Sequence, residues 1–85
     1  MSESKILDAV AEAIYAEVEA KRGFPVAAET RLIEDLGLDS IDIVGITMRL
    51  EDRFRIEISV PEIKDFRSVA DLMAQVSGQV GKSAA

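Results

Sequence analysis

The chain is defined first by the chemistry it lacks. Its 85 residues include no cysteine and no histidine, and only 5% of them are aromatic. Without cysteine there is no disulfide framework and no thiolate metal site, a composition that fits the cytosol. Without histidine the most common general base is missing. Little catalytic chemistry can therefore be native to this chain, and we expect no metal site.

Long apolar runs and an excess of positive charge are also missing. No segment is long enough to cross a bilayer, and residues 1–5 lack a basic leader and an apolar signal core. We therefore expect a cytoplasmic protein without stable membrane insertion. Sixteen acidic and ten basic residues give a net charge of −6, which argues against nucleic acid and favours partners with basic surfaces.

The spacing of the apolar residues predicts helices. Steps of three and four residues predict helices over 3–20, over 40–55 and from Ser68 onward, with Asp71 completing a capping box. A proline at the first turn predicts a short helix over 61–66. Residues 56–59 alternate like a strand but have no partner strand, so we predict an extended linker that buries Ile56 or Ile58. We predict an all-α, four-helix bundle with three longer helices, one short helix and a long first loop.

The domain boundaries follow from the same pattern. Residues 1–80 form one domain, which we expect to be a monomer, and residues 81–85 form a frayed tail. The long connection over 21–39 carries several apolar residues, so we expect it to pack against the core. A connection of this length in so small a domain is often functional.

The second helix carries two apolar faces. On a helical wheel, five residues fall within about 100° of arc, the width of a core-facing stripe: Ile43, Ile46, Thr47, Leu50 and Phe54. Ile41, Val44 and Met48 fall roughly opposite them. Either this helix is buried all round, or the second set forms an exposed docking patch.

Ser40 stands at the start of this helix, where free N–H groups and the helix dipole favour an anion. Asp39, followed three residues later by Asp42, resembles a capping box, which would make Ser40 the first helical residue. A catalytic role would need a base, and no motif places a lysine beside Ser40. Asp35 and Asp39 could at most hold Mg²⁺ weakly.

The segment from Leu32 to Asp42 closely resembles the prosthetic-group attachment segment of acyl carrier proteins, with Asp39-Ser40-Ile41 at its centre. Residues 50–54 and 66–72 are similar to the end of that family's second helix and the beginning of its last helix. The resemblance covers nearly the whole chain in order. It implies that Ser40 receives 4′-phosphopantetheine from coenzyme A through a Mg²⁺-dependent phosphopantetheinyl transferase, within the motif Gly37, Leu38, Asp39, Ile41 and Asp42.

The resemblance also implies partners and a cargo. The arm would carry acyl groups as thioesters between acyl-loading and acyl-processing enzymes of fatty acid, lipid or polyketide biosynthesis, so the chain is a carrier and not an enzyme. The expected docking residues are Ile41, Val44, Gly45, Met48, Arg49, Asp35 and Asp39. The expected lining of an acyl chain is Ile43, Ile46, Thr47, Leu50, Phe54, Ile63 and Val69.

The sequence departs from that family on the second helix. The family commonly has glutamate where Gly45 stands, and acids where Arg49, Arg53 and Arg55 stand. A neutral helix weakens steering toward basic enzymes, which points to a specialised bacterial carrier. There are three alternatives: an aminoacyl or peptidyl carrier, an unmodified helical interaction module and a small hydrolase. The hydrolase is the least favoured of the three.

Overall fold

The structure, a computed structural model, describes residues 2–58 and 66–83, with side chains described up to residue 79. It contains α1 (Glu3–Glu17), α2 (Ser40–Phe54) and α3 (Val69–Ser83), and a 3₁₀ turn (Glu19–Lys21) follows α1. The described residues include no strand, so the predicted all-α class is confirmed. The short helix was predicted over residues 61–66. Residues 61–65 lie outside the described residues, and Phe66 is not helical.

Helix α1 is shorter than predicted. It begins after Ser2, whose Oγ accepts a hydrogen bond from the Lys5 N–H at 3.4 Å. It ends at Glu17 and not at residue 20, because Val18 leaves the helical region with φ −128° and ψ 84°. A β-branched residue adopts extended backbone readily, and a 3₁₀ turn covers the remaining residues.

Helix α3 is longer than predicted. One carboxylate oxygen of Asp71 accepts the backbone N–H groups of Arg67 at 2.8 Å and of Ser68 at 3.1 Å. This is the Asp71 half of the predicted capping box, whereas the Asp71 N–H donates to the Ser68 carbonyl at 3.1 Å. The helix continues to Ser83, so the backbone of residues 81–83 is helical, and fraying of the tail stays a prediction.

The long connection is fastened to the beginning of α3. The Leu32 N–H donates to the Arg67 carbonyl and the Val69 N–H donates to the Thr30 carbonyl, both at 2.9 Å. Leu32 is fully buried. The predicted packing of this connection is therefore confirmed, although Ile33 is 56% exposed.

The core lies between the three helices and the connection, and it is aliphatic apart from Phe66. Its fully buried members include Val10, Ile14, Leu32, Leu36, Ile46, Leu50, Val69, Leu72 and Val76. Ile56 and Ile58, of which the alternating pattern predicted one to be buried, are both buried. None of the helices in the described chain is long and apolar enough to cross a membrane.

Candidate functional site

The beginning of α2 is closed by a reciprocal capping box. The Asp42 N–H donates to Asp39 Oδ1 at 2.9 Å, and the Asp39 N–H donates to Asp42 Oδ2 at 3.1 Å. Asp39 has extended backbone, so the helix begins at Ser40. The prediction that Asp39 is the cap is confirmed, and Ser40 is an exposed residue of the first turn.

The preceding turn fixes the position of this helix start. Gly37 adopts φ +67°, and its N–H donates to the Ile33 carbonyl at 2.9 Å. A Cβ at residue 37 would meet no atom within 4 Å, so the glycine is required by its backbone angle and not by space. Leu38 is buried and anchors the chain in the core. The turn thus places Leu38 inward and Ser40 outward.

The first turn of α2 offers N–H donors beside the Ser40 hydroxyl. The Asp42 and Ile43 N–H groups are bonded to Asp39. The Ser40 and Ile41 N–H groups have no partner within the described residues, and neither does the Ser40 hydroxyl. Free N–H groups and the positive end of the helix dipole stabilise a negative charge. The residues present therefore fit a phosphodiester on Ser40 Oγ.

An exposed apolar surface adjoins Ser40. Ile41 is 78% exposed, Met48 is 61% exposed and Val44 is 37% exposed. The interpretation that α2 is buried all round is therefore wrong. We call Ile41, Val44 and Met48 the exposed patch; that partners dock on it stays a prediction.

Two arginines of α2 are paired with acids of α1, a feature that the sequence did not reveal. Arg49 Nε donates to Glu17 Oε1 at 2.9 Å, and Arg53 is paired with Glu12. The partners are separated by 32 and 41 residues. No local spacing signals pairs so distant in the chain, so only the packing of α1 against α2 shows them.

Gly45 leaves the space in which the Glu17 carboxylate lies. A Cβ built on Gly45 would stand 2.7 Å from Glu17 Oε1 and nearer still to the other carboxylate oxygen. Real Cβ atoms essentially never approach so closely. The glycine, a departure from the family pattern, is thus matched to an acid on another helix.

The predicted docking acid Asp35 belongs to a local ion-pair cluster. Arg31 pairs with Glu34 and, at 3.1 Å, with Asp35. The side-chain hydrogen bond from Arg31, followed by one from its backbone N–H, lowers the pKa of Asp35 below its ordinary value. Asp35 and Asp39 are each engaged in hydrogen bonds of their own, and no metal-binding cluster of three acids occurs within the described residues.

The predicted acyl-chain lining falls mainly in the closed core. Five of its members are buried: Ile43, Ile46, Thr47, Leu50 and Val69. Phe54 is half-buried against the same core, and Ile63 lies outside the described residues. A chain entering here has to separate packed side chains, and its insertion stays a prediction.

Comparisons with known proteins agree with this geometry. The family described as a phosphopantetheine attachment site matches residues 4–76. An acyl carrier protein of Campylobacter curvus is 36% identical over 77 residues, which cover 91% of this chain and 92% of that protein. One from Thermobifida fusca is 35% identical over 72 residues, covering 85% and 90%.

The fold has a solved counterpart as well. The crystal structure of an acyl carrier protein from Thermotoga maritima superposes with a TM-score of 0.85 at 30% identity, covering 96% of this chain and 94% of that one. A match over most of the sequence and over 96% of the chain in the structural comparison shows the family. The chain belongs to the acyl carrier protein family, and its function is to carry acyl intermediates on a covalently attached 4′-phosphopantetheine group.

Proposed function

We propose that Ser40 is the attachment point of the phosphopantetheine arm. One observation carries this proposal: the Asp39–Asp42 capping box satisfies the donors that a serine cap would have taken, so Ser40 keeps an exposed hydroxyl in the first turn of α2. Ser2, by contrast, uses its own Oγ as the cap of α1. Ser2 therefore caps its helix, whereas the hydroxyl of Ser40 is not used as a cap.

The proposed loading reaction needs an external enzyme. Ser40 Oγ forms a bond to the pantetheine-bearing phosphorus of the coenzyme A diphosphate. The bond from that phosphorus to the bridging oxygen breaks, and this oxygen leaves with adenosine bisphosphate. A base of the transferase takes the hydroxyl proton, because no described side chain is hydrogen-bonded to the Ser40 hydroxyl. The bound arm supplies the thiol that this cysteine-free chain lacks. The chain itself is thus a substrate and a carrier without catalytic residues.

The proposed attachment is tested by intact-mass measurement. Purified protein is incubated with coenzyme A, Mg²⁺ and a broad-specificity phosphopantetheinyl transferase. We expect a gain of one phosphopantetheine, which Ser40→Ala abolishes. Ser4→Ala is the matched control, because Ser4 is also exposed in the first turn of a helix. A folded wild-type protein that gains no mass contradicts the proposal and favours an unmodified interaction module.

The exposed patch is proposed as the surface on which loading and acyl-processing enzymes dock. It lies one to eight positions beyond Ser40 on the same helix, so an enzyme that reaches the hydroxyl or the arm covers it. Large exposed apolar side chains mark such surfaces. Methionine suits a surface that meets several partners. The proposal includes a cytoplasmic location, which follows from the family and not from the fold.

We further propose that the carrier serves a dedicated acyl pathway. Residues 40–55, which are α2 and its C-cap residue, hold three acids and three arginines, and two of those arginines are paired with acids of α1. Weak net charge on this helix reduces steering toward basic housekeeping enzymes. We expect slower turnover with housekeeping elongation enzymes than a housekeeping carrier shows. If housekeeping elongation enzymes turn over this protein as fast as a housekeeping carrier, at low and at high salt alike, the assignment is contradicted.

A further inference from the structure

The Glu17 carboxylate lies at the edge of the exposed patch although it comes from α1. It fills the space that a side chain at residue 45 would occupy. On a helix surface, residues three and four positions apart are neighbours, so residue 45 adjoins both Ile41 and Met48. The patch therefore has an acidic neighbour that does not belong to α2.

This carboxylate is held in place by one arginine and stays partly accessible from outside. Arg49 Nε donates to Oε1, and no other described side chain donates to the carboxylate. The Glu17 side chain is 27% exposed, so part of it remains accessible. The surrounding chain is acidic, since residues 1–39 carry nine acids and four bases. A cationic group from outside is the complement that this arrangement favours.

We propose that Glu17 is a partner-recognition residue: a protein that docks on the exposed patch places a lysine or arginine against its carboxylate. Gly45 supplies the space for this carboxylate, and Arg49 orients it. This inference rests on the proposed function, because it assumes that enzymes approach the first turns of α2 to reach Ser40. It adds α1 to the docking surface, which sequence reasoning confined to α2 and the preceding loop.

The test uses the transferase that modifies Ser40 as the probe. We measure kcat/KM for modification of the apo protein at low and at high salt. Glu17→Gln keeps an oxygen that accepts from Arg49 but removes the charge. We expect it to lower kcat/KM at low salt by roughly fivefold, and the deficit to shrink at high salt.

Glu12→Gln is the matched control. It alters the other ion pair between α1 and α2, in which Arg53 lies about two turns beyond Gly45. We expect it to change kcat/KM by less than about twofold, since exposed pairs contribute little. Thermal unfolding of both variants verifies that they remain folded.

A charge-relocation variant completes the test. Glu17→Ala combined with Gly45→Glu moves the carboxylate from α1 to α2, on a side chain whose Cβ takes the space of the Glu17 carboxylate. We expect this double variant to recover wild-type kcat/KM within about twofold, whereas Glu17→Ala alone stays slow. The inference is overturned if Glu17→Gln behaves like Glu12→Gln, or if the double variant stays as slow as Glu17→Ala. A wild-type protein that is never modified overturns the assignment of Ser40 instead.

Discussion

At the residue scale, the sequence predicts a site when its partners are near in the chain. Asp39 and Asp42 are three positions apart, and the helical rise alone brings them together. Their capping box and the outward position of Ser40 were therefore predictable. Helical geometry likewise predicted that residues 41, 44 and 48 share a face. Whether that face is buried or exposed was open in the sequence, and the structure shows that it is exposed.

Gly45 makes a contact that residue spacing in the sequence does not predict. In the sequence it is a helix-weakening residue that costs about 1 kcal/mol relative to alanine. In the structure its missing side chain leaves space for the carboxylate of Glu17, which lies 28 positions earlier in the chain. Which face of α1 packs against α2 decides that contact, and no local pattern encodes it.

Asp35 permits a prediction at the same scale. Arg31 lowers its pKa in the folded chain, so the interaction stabilises the fold above the ordinary carboxyl pKa of 3.8 and is lost as the pH falls through the lowered value. We expect an NMR titration of the Asp35 carboxyl to have its midpoint below 3.8. Arg31→Gln should move this midpoint upward. A wild-type midpoint at or above 3.8 contradicts the ion-pair cluster.

At the element scale, helix beginnings were easier to predict than helix ends. Side-chain caps such as Ser2 and Asp39 are visible in the sequence, because few residue types serve at that position. The ends depend on backbone angles instead. Helix α2 ends at Phe54, and its C-cap residue Arg55 lies in the left-handed region with φ 55°, where glycine is the usual residue. No glycine marks this end, so the predicted helix ran one residue too far.

Arg55→Gly tests this helix end. The left-handed conformation costs a residue with a Cβ roughly 1–2 kcal/mol, which glycine avoids. Arg55 forms no ion pair with any described residue, so little else is lost. We expect the free energy of unfolding in urea to rise by about 1 kcal/mol.

Arg53→Gly is the contrast, two residues earlier on the same helix. There the glycine stands inside α2, and we expect a loss of about 1 kcal/mol. The ion pair with Glu12 is also lost. If Arg55→Gly also destabilises the protein, the assignment of left-handed backbone to Arg55 is wrong.

At the scale of the whole molecule, the long connection determines how the helices present the site. Backbone bonds fasten Leu32 and Thr30 to the beginning of α3, and Leu36 and Leu38 bury their side chains in the core. The sequence predicted that this connection packs, because its apolar content was high. It did not predict the pairing with α3, since bonds between distant backbone groups leave no trace in composition.

The central claim is that Ser40 carries the arm, and peptide mapping of the modified protein tests it most directly. Trypsin cleavage after Arg31 and Arg49 releases residues 32–49, in which Ser40 is the sole serine. Mass spectrometry should find one phosphopantetheine on this peptide, and fragmentation should place it between Asp39 and Ile41. A folded, transferase-treated protein in which this peptide is unmodified, or in which the arm lies on another peptide, contradicts the account.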